Sequence, residues 1–229
     1  MIDNNFEPVL LGQTIIRYRT PEHVFNEINL IYKKLVAKNK LPHMRKLLAG
    51  KIGKEYSLFW NSRHENRLKR HNTLSENVHN FFKEKFTHYL NFNKVQDWKF
   101  KVDSMWVNEM KAGEYNPIHI HAGDLYTGLS SVMILKLPKN FGKEWQNPQD
   151  PMNGQLTFMG NSTGYFSISD YTPSNLRPGD FFIFPYDIRH AVYPFQGKYK
   201  RITLSANADV SYNPLSSTIY RQSQYDKKN

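Results

Sequence analysis

Asn116-Pro117-Ile118-His119-Ile120-His121-Ala122-Gly123-Asp124 holds two histidines two residues apart, and it leads into an apolar run from Leu129 to Leu137. On a β-strand, residues i and i+2 point to the same face, so His119 and His121 present two imidazoles side by side. Imidazole is the commonest protein metal ligand. A third histidine, His190, sits in another strand-like segment, and Arg201 follows it by eleven residues. A lone strand histidine is more often a hydrogen-bonded structural residue than a ligand. Taken together, the four residues read as one site: a mononuclear metal with an anionic co-substrate beside it.

Downstream, Leu176-Arg177-Pro178-Gly179-Asp180 is a tight turn feeding the apolar strand Phe181 to Phe184, and Pro185 and a short loop then deliver His190. Short strands are expected near Ile118–His121, Leu129–Leu137, Gly154–Met159, Gly164–Ile168, Phe181–Phe184, His190–Phe195 and Arg201–Ala208. Turn signals separate them, and no long helix intervenes. That pattern argues an antiparallel sandwich or barrel. Before it, Phe100, Val102, Ser104, Trp106 and Asn108 show the period of two that marks a strand.

Upstream the periodicity is helical. Val9-Leu10-Leu11 and Ile15-Ile16 suggest an edge strand or two. Thr20-Pro21 then predicts a helix start, with Thr20 as N-cap, and the apolar spacing continues to about Ala37. A second helix is expected over Pro42–Leu48, broken by Gly50 and Gly53. Residues 55–73 read as irregular, basic and aromatic. A third helix is expected from about Thr73 to Tyr89. Its stripe of Val78, Phe81, Phe82, Phe86 and Tyr89 suits core better than a partner-binding face. The expected organisation is a single domain over 1–229: a helical flank (1–96), a β-rich core (97–212) and a polar tail (213–229). The class is mainly β with flanking helices (α+β).

Charged residues make up 22% of the 229 and hydrophobic ones 39%, which suits a globular protein. There is no cysteine, so disulfides, Cys-based zinc sites and thiol nucleophiles are excluded. The absence of a signal sequence or a membrane-length apolar run leads to the expectation of a cytoplasmic protein without a membrane partner. The net charge of +11 is concentrated in the first half. It fits an acidic partner, or a solvated helical face. Oligomeric state is not legible.

At this point the chain resembles the iron(II)- and 2-oxoglutarate-dependent oxygenases, and among them a group of small phage and bacterial members. The matching parts are Trp106-Val107-Asn108 leading to Gly113, HIH at 119–121, LSSVMILKLP at 129–138 and Gly154-Gln155-Leu156-Thr157-Phe158. The turn at 176–180, Phe184-Pro185, His190, and Arg201-Ile202-Thr203 running to Asn207 complete the set. The resemblance implies a double-stranded β-helix, the jelly roll shared with cupins. It implies Fe(II), 2-oxoglutarate and O2, with His119 and His190 as metal ligands. His121 falls where the family carries a carboxylate, which leaves the metal with a higher net charge. Asp124 is an alternative carboxylate ligand. Arg201 and Thr203 match the Arg-x-Ser/Thr pair that binds the far carboxylate of 2-oxoglutarate, and Asn108 is a further co-substrate contact. Met133 and Ile134 stand where relatives carry tyrosines.

The implied reaction is hydroxylation of an unidentified substrate (small molecule, protein or nucleic acid) with release of succinate and CO2. Trp106, Tyr126, Phe158 and Phe184 are candidate cavity walls, and the loop at 140–153 is a candidate lid or a plain surface loop. Two other classes stay open. One is a cupin-type dioxygenase that does not use 2-oxoglutarate, suggested by Gly113 before His119 and by Pro185-x-Asp187-x-x-His190. The other is a non-enzymatic, virion-associated jelly-roll module.

Overall fold

A computed structural model describes residues 6–10, 13–38, 40–42, 50–63, 69–143, 152–160 and 170–213. Its core strands are β5 (Lys99–Met110), β6 (Asn116–His119), β7 (Gly128–Lys136), β8 (Leu156–Met159), β9 (Asp170–Tyr171), β10 (Asp180–Pro185), β11 (Arg189–Val192) and β12 (Arg201–Ser211). Four of them lie in a large antiparallel sheet in the order β10-β7-β12-β5. The other four form a small sheet in the order β6-β11-β8-β9. This is the expected double-stranded β-helix.

The flank is less purely helical than its sequence suggests. Four further strands extend the large sheet at both edges: β1 (Phe6–Leu10) and β2 (Thr14–Arg19) beyond β10, and β3 (Lys54–Trp60) and β4 (His71–Asn72) beyond β5. Thus residues 55–73, expected to be irregular, contain two paired strands. A register shift between Ser57 and Phe59 breaks the alternation of β3 and hides it from a period-two reading.

Two helices, α1 (Glu22–Ala37) and α2 (Glu76–Phe92), are described. The N-cap of α1 is Pro21, not Thr20, and no side chain caps it. Thr20 N–H donates to Gly179 O at 2.8 Å, which keeps Thr20 in extended backbone continuing β2. The α2 helix starts at Glu76 rather than Thr73 because Thr73 is tied to Leu58 O through both its N–H and its hydroxyl. Ser75 takes the N-cap and accepts from Val78 N–H. The expected helix over 42–48 and the strand over 164–168 lie almost wholly or wholly outside the described residues. Among the described residues no helix is long and apolar enough to cross a membrane.

The α2 stripe is core. Phe81, Phe82 and Phe86 are buried, and the rings of Phe81 and Phe82 lie 5.5 and 5.2 Å from that of Phe181 on β10. Each such phenyl contributes roughly 2–3 kcal/mol of burial. The helices cover one face of the large sheet. The other face looks toward the small sheet, and β12 serves both. Its Ile202, Leu204, Ala206 and Ala208 belong to the helix-side core, and the intervening Arg201, Thr203, Ser205 and Asn207 line a cavity.

Candidate active site

The cavity has a volume of about 510 Å³, and all three histidines and Arg201 reach it. His119 ends β6, His121 follows it by two residues, and His190 lies on β11. The register pairs His190 directly with His119. One nitrogen from each ring falls within 4.8 Å of the others. The tautomers are set locally. His119 Nδ1–H donates to Pro117 O (2.7 Å) and His190 Nδ1–H to Ile188 O (3.0 Å), so each Nε2 carries a lone pair; that of His119 accepts from Asn116 Nδ2 at 3.3 Å. His121 Nε2 and His190 Nε2 face each other at 3.2 Å, an approach that two lone pairs make comfortably only around a shared cation or proton.

Burial disfavours a protonated ring at all three positions. It pushes His190 down to about 3, reinforced by His119, and takes His121 well below the usual imidazole value, reinforced by His190 and His119. His119 is lowered mainly by the same desolvation. Three neutral imidazoles that converge on one point fit a divalent cation as donors. Phe184 packs against His190 (4.8 Å between rings) and Trp106 against His121 (6.0 Å).

Asp124 goes elsewhere. Its carboxylate accepts from Ser62 Oγ (2.8 Å), Arg63 N–H (2.6 Å) and Lys101 Nζ (2.9 Å). It clusters with Asp103 and Asp209, not with the imidazoles. Asp209 in turn accepts from Tyr186 O–H (3.2 Å). This network straps the segment after His121 to β5, to β12 and to the 61–63 loop.

At the other end of the cavity Arg201 is 1% exposed, and its Nε and Nη2 have no hydrogen-bond partner among the described residues. Burial lowers its pKa to about 10. A buried guanidinium with free donors is costly in any fold unless an anion answers it. Thr203 lies two residues along the same face. Asn108, opposite Thr203 on β5, has an unpaired Oδ1. Ile134 is Thr203's partner on β7, while the neighbouring Met133 faces the helix-side core. Of the aromatic walls expected from sequence, Trp106, Tyr126 and Phe184 line the cavity. Phe158 instead packs behind Phe184 and His190. Most of the 140–153 loop lies outside the described residues.

Sequence reasoning missed the wall supplied by the flank, where Ile52, Glu55, Trp60 and Ser62 all line the cavity. The only signal was a single Glu ahead of a run of apolar and aromatic residues, Glu55-Tyr56-Ser57-Leu58-Phe59-Trp60.

Residues 104–207 match the model of a family described as "Putative 2OG-Fe(II) oxygenase". These residues belong to the iron(II)- and 2-oxoglutarate-dependent oxygenases. That family is one of oxidoreductases whose chemistry uses Fe(II), 2-oxoglutarate and O2, and the match spans a little under half of the chain. No curated protein matches the sequence. Solved structures match the fold at low identity. A prolyl-4-hydroxylase from Pseudomonas putida is 15% identical, with 87% of this chain and 94% of that one covered and a TM-score of 0.51. A prolyl hydroxylase from Trichoplax adhaerens, solved with a hypoxia inducible factor peptide fragment, is 10% identical (90% and 84% covered, TM-score 0.52). The carbocyclase SnoK of nogalamycin biosynthesis is 10% identical (88% and 83% covered, TM-score 0.54).

Proposed function

We propose that this oxygenase hydroxylates its substrate with conversion of 2-oxoglutarate to succinate and CO2. In this reading His119, His121 and His190 hold Fe(II), Arg201 and Thr203 bind the far carboxylate of 2-oxoglutarate, and Asn108 makes a further contact. The observation that carries it is Arg201, a fully buried guanidinium with two unanswered donors in the same cavity as three converging imidazoles. A cupin-type enzyme without 2-oxoglutarate has no use for such a group.

Bound there, iron with 2-oxoglutarate and O2 supplies the oxidant that turns a substrate C–H into C–OH. The chain's own residues do the rest. Pro117 O and Ile188 O orient two of the rings through their Nδ1–H groups. Arg201 presents a planar fork that suits a carboxylate bidentately. Trp106 and Phe184 keep water from the imidazoles. Three neutral ligands would leave the metal's two positive charges uncompensated by protein, so that of the two carboxylates of 2-oxoglutarate one would answer the metal and the other Arg201.

The test is an anaerobic titration of the Fe(II)-loaded protein with 2-oxoglutarate, followed by the visible metal-to-ligand charge-transfer band and by succinate release under O2. The band should appear in wild type, weaken in Arg201→Ala, vanish in His121→Ala and persist in Asp124→Ala. Iron binding without a band in wild type would overturn the reading.

A further inference from the structure

Two buried acids line the cavity without a part in the proposed chemistry: Asp103, which belongs to the cluster with Asp124 and Asp209, and Glu55. Glu55 comes from β3, in the part of the chain outside the family match. It is 2% exposed, and its Oε2 has no hydrogen-bond partner among the described residues. An ionised carboxylate in that position would be a heavy cost, and a second anion beside the site of a dicarboxylate would be worse.

The register suggests why the group is tolerated. Glu55 on β3 is paired with Asn108 on β5, and Asn108 with Thr203 on β12. Directly opposite residues of antiparallel strands share a face with their Cβ atoms roughly 5 Å apart. Glu55, Asn108 and Thr203 therefore form one row across the cavity floor, with Arg201 two residues along β12 from the end of it. Two atoms of this row, Glu55 Oε2 and Asn108 Oδ1, are both acceptors without donors. A single proton on the Glu55 carboxyl satisfies both.

We propose that Glu55 is a positioning residue of the co-substrate site: its carboxyl O–H donates to Asn108 Oδ1 and turns the Asn108 NH2 into the cavity, beside the Arg201 and Thr203 anchor. This rests on the 2-oxoglutarate reading of the site. Burial alone raises the Glu55 carboxyl to about 8, so the proton is in place at neutral pH. The other titratable groups that line the cavity are Asp103 on β5, Arg201 on β12, Tyr126 in the segment before β7 and the three histidines. Lys54 and Glu109 pair on the opposite face of β3 and β5, and Glu114 approaches Gly53 from the turn before β6.

The first readout needs neither metal nor co-substrate. An infrared difference spectrum of wild type against Glu55→Gln near neutral pH should show the C=O stretch of a protonated carboxylic acid. Asn108→Leu should shift it to the position of a free acid. The second readout is calorimetric titration of the Mn(II)-loaded protein with 2-oxoglutarate across pH. Wild-type affinity should fall about tenfold per pH unit above about 8, while Glu55→Gln, whose amide N–H can still donate to Asn108, should stay flat over that range.

A missing band, or one indifferent to Asn108, overturns the proposal. So does an alkaline loss that persists in Glu55→Gln. If the band behaves as stated but wild type does not bind 2-oxoglutarate at all, the Glu55–Asn108 bond stands and the co-substrate reading falls.

Discussion

The two faces of β12 are equally buried and chemically opposite. On the helix side, Leu204, Ala206 and Ala208 are 0% exposed among the phenyl rings of α2 and β10. On the cavity side, Arg201 and Thr203 are 1% and 3% exposed and have no apolar reason to be there. One face is made of groups that water rejects, the other of groups that water would have welcomed. Folding stability comes from the first face. On the function proposed above, the second would be completed by an anion from outside the chain.

The sharpest way to break this contrast is to put a polar group on the wrong face. Leu204→Asp places an unpaired carboxyl among Met105, Met133 and Leu204's other core neighbours and should leave no folded protein, while Leu204→Ala should cost about 2–5 kcal/mol in denaturant unfolding. In the folded fraction of Leu204→Ala, 2-oxoglutarate affinity should be unchanged. A large affinity loss there would mean that the faces are not independent.

The converse change is Arg201→Leu. Removing a buried charge with two orphaned donors should leave the metal-free protein as stable as wild type, or more stable by on the order of 1 kcal/mol. The same change should weaken 2-oxoglutarate binding by about 100-fold or more. Strong destabilisation of the metal-free protein would show that Arg201 is a structural member of the core.

Glu55 gives a smaller and graded effect. Its folded value of about 8 lies above the ordinary carboxyl value of 4.5, so between those pH values the unfolded chain ionises while the folded one stays neutral. Stability is then lost as pH rises through that window, and levels off above about 8. Wild type should decline relative to Glu55→Gln across it, by up to about 1.4 kcal/mol per pH unit, read from unfolding free energies at each pH. Parallel profiles would show Glu55 to be solvated. The smallest effect belongs to Asp124→Asn, expected to cost about 1 kcal/mol through its hydrogen bonds to Ser62 and Arg63 while metal stoichiometry is kept. Loss of metal in that variant would return Asp124 to the ligand set.

What could be read from the sequence follows from how local each signal is. The Arg201-x-Thr203 pair is a spacing of two on β12, and the His-x-His pair is a spacing of two that continues from the end of β6, so their shared faces were legible in the letters. The stripe of α2 was legible because 3.6-residue periodicity survives packing. Strand β3 was not, since a register shift and burial on both faces leave Tyr56 to Trp60 without alternation. The choice between His121 and Asp124 was not legible either. It depends on Ser62 and Lys101, far apart in the chain, meeting the carboxylate. Thr20 failed as a cap because its backbone answers to Gly179, about 160 positions away.

Strands β2 and β3 have one more consequence. They sit against β10 and β5, the two outermost strands of the large sheet within the oxygenase core. A fragment cut to β5–β12 alone would carry two bare hydrogen-bonding margins, and β-strand margins of that kind recruit one another. The flank thus acts as a selvedge: it finishes a fabric that would otherwise go on knitting, and on the inner side of one of its threads it carries a wall of the active site.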